Sequence, residues 1–413
     1  MTSEGVVPGP GLQDSVACVE GSLSRAVLFA TTIVTTARAF LMPFAVHMRA
    51  RGFFVHLACN DVPDGRRING FDQVFEVQWS RSLSRVANLR AVLRFAALLR
   101  QNRYCLLHLH TPVAAFLGRL AVALLPKGGR PKVVYTAHGF HFYERGSRVA
   151  NPLFLALEKL AGRWTDVLIV INREDEAAAR RYRLVLPEQI RYVPGIGIDT
   201  EVYSPGMVNP EDVATVRASL GLTREDNLFV MVAEFNPGKR HRDVVKALAR
   251  LGRSSVHLAF AGDGPLVERV KMQVRRLGLE GRVHFLGFRR DVPTLMRAAT
   301  ATLMPSEREG LNRSVMESLA LEVPVIGSDA RGVRDLLEDG CGVVVPVGDV
   351  ETLARAMAWV LDHPEEAQEM ARKGRQRVVA QHDIRHILKL HDEIYAELLG
   401  DQWRAQPVVE ARN

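Results

Sequence analysis

Two carboxylates in the stretch REGLNRSVMES, Glu309 and Glu317, stand eight positions apart, with Gly310 directly after the first. Were both helical, eight positions would carry them about 80° past two full turns, so they would not share a helix face. The spacing instead predicts Glu309 and Gly310 in a loop that closes a strand, with Glu317 on the helix that follows. In an open parallel sheet, the loop at a strand's carboxyl end is where a ligand sits. Glu317 has two readings. A capping box from Ser314 to Glu317 would bond it back to the start of its own helix. A carboxylate held free there would accept both hydroxyls of a ribose. The box leaves Glu309 and Gly310 unexplained.

Other strand ends carry compatible chemistry. In AEFNPGKRH (233–241), Lys239 lies just ahead of a helix, where a phosphate meets both an ammonium and unpaired helix N–H groups. In AGDGP (261–265), Gly262 and Gly264 flank Asp263, and glycines there let backbone approach a ligand closely. GxxxxGK[ST] is absent, and ATTIVTTARAF (30–40) after the first strand holds no glycine, which argues against a nicotinamide or flavin oxidoreductase. TAHGFHFY (136–143) leaves a strand with His138, Gly139 and His141. No HExxH pair accompanies it to hold zinc, and no Asp-any-Asp triplet is present to clamp a metal–diphosphate complex.

Positioning these groups requires strands that end together. Apolar runs at 26–31, 54–59, 106–111, 132–138, 166–172 and 190–194 alternate with helical patterns. The series repeats at 228–233, 256–262, 283–287, 301–306, 324–329 and 342–346. Continuous Val/Ile/Leu runs, without alternation, predict parallel strands buried on both faces. The turn-rich PGIGIDTEVYSPGMVNP (194–210) separates the two series. The reading is therefore α/β, with a loose N-terminal arm (1–22) and two doubly wound Rossmann-like domains (23–200 and 201–380). Helices in 381–413 cross back to the first domain.

The 413 residues suit two domains, and no apolar run reaches the ~20 residues of a membrane helix. AVLFATTIVTT (26–36) lacks the flanks of a signal peptide. Cys18, Cys59, Cys105 and Cys341 form no CxxC pair and read as thiols of a reducing cytoplasm. The net charge of +8 is uneven: residues 1–200 hold 25 Lys and Arg against 15 Asp and Glu. An amphipathic, arginine-bearing helix is expected at 81–101. Such a basic half suits an anionic acceptor or a membrane surface. Only 7% of the chain is aromatic and no aromatics interleave the basic residues, so a nucleic-acid partner is not expected.

With both glutamates, Lys239, AGDGP and TAHG in register, the chain resembles a retaining glycosyltransferase of family 4 with the GT-B fold, from about residue 25 to 400. YTAHGFHFYERG, VAEFNPGKRH and REGLNRSVMES together resemble a branch associated with capsular and exopolysaccharide synthesis. The resemblance implies a UDP-sugar donor, no cofactor and no metal. His138, Lys239 and Glu309 would be the catalytic group. Gly262, Asp263, Gly264, Phe288, Gly310, Leu311, Asn312, Arg313 and Glu317 would contact the donor, with Glu317 on the ribose and the backbone near Phe288 on the base. Arg38, Phe142 and Tyr143 would line the acceptor side. The implied reaction moves a hexose or N-acetylhexosamine to a lipid-linked or other glycan acceptor, at the cytoplasm or the inner membrane face. A soluble acceptor, a UDP-sugar epimerase, a phosphorylase and a non-catalytic nucleotide-sugar sensor are the alternatives. One departure stands out. Where the wider family carries Gly-Arg ahead of the lysine, this chain has Ala233-Glu234, leaving Arg240, Arg289 or, preferably, Arg313 to supply the missing charge.

Overall fold

The central apolar runs become strands because they are buried on both faces, whereas Ile190–Tyr192, Val283–Phe285 and Val343–Val345 at the sheet margins are only partly buried. The computed structural model describes residues 25–62, 67–79, 87–142 and 148–404. The arm 1–22, the start of the 81–101 helix and Tyr143 lie outside the described residues. The first sheet contains β1 (Ala26–Ile33), β2 (Phe54–Asn60), β3 (Gln73–Glu76), β4 (Leu106–His110), β5 (Lys132–Ala137), β6 (Val167–Val170) and β7 (Ile190–Tyr192), in the order β3-β2-β1-β4-β5-β6-β7. The second contains β8 (Asn227–Val232), β9 (Val256–Ala261), β10 (Val283–Phe285), β11 (Ala301–Met304), β12 (Val325–Ser328) and β13 (Val343–Val345), in the order β10-β9-β8-β11-β12-β13. Every pairing in both sheets is parallel.

One strand was not expected. β3 is a four-residue edge strand in which only Val74 is buried, so it lacks the apolar run that marks the others. The helix expected at 81–101 is seen as Ala87–Asn102.

One face of the first sheet packs on the helices Ala87–Asn102 and Pro112–Ala123 through Phe95, Leu99 and Leu117. The other face packs on Met42–Ala50 and on the late helix Ile384–Leu399, which brings Ile387, Ile394 and Tyr395 into that core. Asp392 fixes the late helix by accepting from His47 at 2.7 Å and from Arg51 at 2.5 Å. A backbone bridge between Ile198 and Asp383 ties the interdomain connection to the start of the same helix. Among the described residues no helix is long and apolar enough to cross a membrane.

Candidate functional site

The carboxyl ends of the two sheets face each other, and their loops enclose a cleft of about 410 Å³. Thr36, Phe40, Thr111 and His138 line it from the first domain; Lys239 and Glu309 through Ser314 line it from the second. The structure thus brings His138, Lys239, Glu309, Gly310, Leu311, Asn312 and Arg313 to one place.

Lys239 donates to Glu309 at 2.6 Å, and both side chains are mostly shielded from water. Asn236 caps the turn before Lys239, its side chain accepting from the Lys239 N–H. Gly310 is fixed by contact, not by an unusual backbone angle. A Cβ on it would lie 2.0 Å from the His138 carbonyl oxygen, so only glycine lets the two domains touch here. Its own carbonyl accepts from Asn172 of the first domain at 3.2 Å.

The helix Arg313–Ala320 begins two residues earlier than a Ser314 box requires. Asn312 is its N-cap, accepting from the Val315 N–H at 2.9 Å, so the Ser314–Glu317 capping box does not form. Asn312 wins because its short amide reaches the third N–H of the helix. Glu317 is instead buried and accepts from Arg313 at 2.7 Å, one helical turn away. Tyr203 also hydrogen-bonds Glu317, and burial followed by that carboxylate pushes the Tyr203 hydroxyl up to about 12.

Arg313 further donates to the Ala39 carbonyl of the first domain at 2.6 Å. Arg240 is bound to Asp243 and Arg289 to Asp291, so all three arginines considered for the diphosphate already hold a carboxylate. Glu234 is exposed and accepts from Asn236 at 3.0 Å.

The glycines of AGDGP also answer to contacts within the chain. At φ +142° and +152°, Gly262 and Gly264 are packed on the neighbouring loop. A Cβ would lie 2.1 Å from the Ala233 carbonyl oxygen or 2.7 Å from the Phe235 backbone. They allow loop-on-loop packing, while Asp263, between them, approaches Gly287. Phe288 is 76% exposed and lies outside the residues lining the cleft.

On the acceptor side, Arg38 is exposed beside the cleft on a π-helical turn, Ala37–Leu41. Phe142 does not line this cleft. It is buried, stacked on Phe140 at 4.9 Å, and borders a separate cavity with Tyr182 and Arg181. Its neighbouring rings outcompete solvent for an apolar side chain.

Three site features escaped the sequence reading. Arg331, on the loop after β12, joins Asp175 of the first domain in an ion pair at 2.5 Å that is almost wholly buried. Thr111 adopts φ +64°, a strained angle for a β-branched residue, at the lip of the cleft. His110 hydrogen-bonds His138 at 3.0 Å. The HLH triplet at 108–110 was the available signal for the last; register alone shows which ring meets which. Among the described residues, no group of three or more His, Cys, Asp or Glu is placed to hold a metal.

Residues 40–202 match the family profile "Glycosyltransferase Family 4", and residues 212–377 match "Glycosyl transferases group 1". The chain is 31% identical over 375 residues to the putative glycosyltransferase EpsD of Bacillus subtilis, spanning 90% of this chain and 96% of that one. It is 27% identical over 288 residues to the Escherichia coli UDP-Gal:alpha-D-GlcNAc-diphosphoundecaprenol alpha-1,3-galactosyltransferase, covering 68% of this chain and 73% of that one. A solved structure of Anabaena Alr3699/HepE in complex with UDP and glucose superposes with a TM-score of 0.76 at 23% identity, covering 90% of this chain and all of that one.

Proposed function

The chain belongs to the glycosyltransferases, a family 4 region followed by a group 1 region on a GT-B fold, and from that premise we propose that it moves a hexose or N-acetylhexosamine from a UDP-sugar to a lipid-linked glycan, with retention at the anomeric carbon. The observation that carries this reading is the Lys239–Glu309 pair, which faces His138 across one cleft. When the donor enters, the diphosphate takes the Lys239 ammonium, and Glu309 turns to the sugar hydroxyls. The bond from the anomeric carbon to the diphosphate breaks, and the acceptor oxygen bonds that carbon on the same face. The acceptor proton passes to the departing phosphate. Lys239 and the start of the helix Arg313–Ala320 stabilise charge on the leaving group, so positioning and preorganised charge supply the catalysis. Glu317, held by Arg313 and Tyr203, takes the ribose. No added metal is needed in this scheme.

A lipid-linked acceptor is supported by the Escherichia coli relative, whose name specifies a diphosphoundecaprenol substrate. The UDP donor is supported by that name and by the UDP-bound HepE structure. The first domain offers a matching surface: the helix Ala87–Asn102 exposes Leu89 at 65% and Leu93 at 56%, each followed by an exposed arginine. Peripheral contact with an anionic bilayer would use both the apolar and the basic groups.

The test is a thermal-shift screen with UDP, GDP, ADP and a panel of UDP-sugars, with and without chelator. At about a hundred times its dissociation constant a ligand adds roughly 2.7 kcal/mol, or roughly 5–10 °C for domains of this size. UDP and one UDP-sugar are expected to give that shift with chelator present, and Lys239→Met to abolish most of it. A shift with GDP or ADP alone, or none with any nucleotide, would overturn the UDP-donor reading.

A further inference from the structure

The geometry points to His110 as the residue that sets the tautomer of His138, so that His138 offers a fixed N–H donor to the cleft. The inference rests on the cleft being a sugar-nucleotide site only for its catalytic consequence. The strand register creates the pair. β4 and β5 are parallel, with His110 beside Thr136, so His138, two residues beyond, leaves the sheet next to the His110 ring. His138 Nε2 lies 3.0 Å from His110 Nδ1, which leaves Nδ1 as the ring nitrogen of His138 available to a ligand.

His110 is buried, and among the described residues its Nε2 has no hydrogen-bond partner. A neutral imidazole carries one donor and one acceptor nitrogen, so only two arrangements exist. If His138 donated to His110, the single proton of His110 would sit on Nε2 as a buried N–H with no acceptor, the rarer and costlier defect. If His110 donates through Nδ1, its Nε2 is a bare lone pair among rings, and the His138 proton must sit on Nδ1. The second arrangement is the one the surroundings select.

The pair is braced from behind. The His108 ring lies 4.1 Å from His110, and His108 is itself held by Tyr395 and Thr136, each at 2.7 Å. Tyr395 comes from the late helix Ile384–Leu399, so the segment that crosses back from the second domain fixes a ring at the cleft. Burial keeps these rings neutral: it pushes His138 down to about 4 and holds His108 and His110 well below the usual imidazole value. His110 is thus a positioning residue, acting through His138 and not on the substrate.

The experiment is a long-range ¹H–¹⁵N correlation of the full chain with ¹⁵N-labelled histidine at pH 7.5, with no nucleotide present. His138 is assigned by the signals lost in His138→Gln. The expected result is a protonated Nδ1 and an unprotonated Nε2 at His138, with that preference lost in His110→Phe. In transfer assays His110→Phe is expected to lower kcat/KM for the donor about tenfold, the worth of one neutral hydrogen bond. His110→Asn, whose amide N–H stands as many bonds from the backbone as Nδ1, is expected to stay within about threefold of the parent. A proton on Nε2 of His138 in the parent protein would overturn the proposal, as would equal loss of activity in the Phe and Asn variants. Because the tautomer is read without donor, failure of the UDP-sugar reading leaves this test intact.

Discussion

Replacing Arg331 by methionine probes a buried charge pair that joins the two domains beside the cleft. Arg331 and Asp175 are 3% and 1% exposed at their side chains. Arg331 also donates to the Phe140 carbonyl at 2.7 Å and to the Glu309 carbonyl at 3.2 Å, so it clamps a loop from each domain. After Arg331→Met, Asp175 keeps the Asn172 amide at 2.8 Å and the Phe140 N–H at 3.3 Å but has lost its counter-charge. Removing one member of a buried pair costs about 3–5 kcal/mol, or roughly 6–20 °C in the melting of the domains concerned. The sign with pH is fixed as well. Burial already raises the Asp175 carboxyl above its usual value, against the opposing pull of Arg331. Without Arg331 it rises further, and the native state then binds a proton that the unfolded chain, with a carboxylate near 3.9, does not. Stability of the variant relative to the parent is therefore greatest at low pH and falls as pH rises through the folded-state value. Scanning calorimetry at pH 5.5 and 7.5 reads both effects, and Asp175→Asn in the Arg331→Met background should restore more than half the loss. A single-variant deficit under about 1 kcal/mol, a deficit independent of pH, or additive losses in the double variant would each refute the reasoning.

Gly310→Ala would set a methyl group 2.0 Å from the His138 carbonyl oxygen, so the loops must part by more than an ångström. Glycosyl transfer is expected to slow about a hundredfold, and an unchanged rate would show that the two loops need not touch. The buried His241, His382 and His391 are each pushed down to about 4, chiefly by burial. On unfolding each returns to about 6.5 and binds a proton, so stability is complete above that value and erodes as pH falls from 6.5 towards 4. The slope is at most about 1.4 kcal/mol per pH unit for each histidine. Urea midpoints at pH 7.5, 6 and 5 should fall in that order, and equal midpoints would contradict neutral burial.

The strands were legible wherever burial on both faces demands an unbroken apolar run. VLIV in β6 and VHLAFA in β9 could be little else, whereas QVFE in β3, an edge with one buried residue, carried no such mark. The division of REGLNRSVMES into a loop glutamate and a helix glutamate was equally legible, because helical periodicity separates the two by angle. So were Lys239 and His138 as groups leaving strand ends. Local sequence did not decide which side chain caps that helix, nor why AGDGP needs its glycines, since the answers are Asn312 and the backbone of residues 233–235.

What only the tertiary structure decided are the pairings across long separations. Asp175 meets Arg331 156 residues away, and Lys239 meets Glu309 70 residues away. His138 meets His110 through the β4–β5 register, and Tyr395 closes on His108 from the crossing helix. Periodicity along a chain fixes which elements form and which face of each is apolar. The partner of a buried polar group is fixed by the energy lost if it has none, and that depends on every element packed around it.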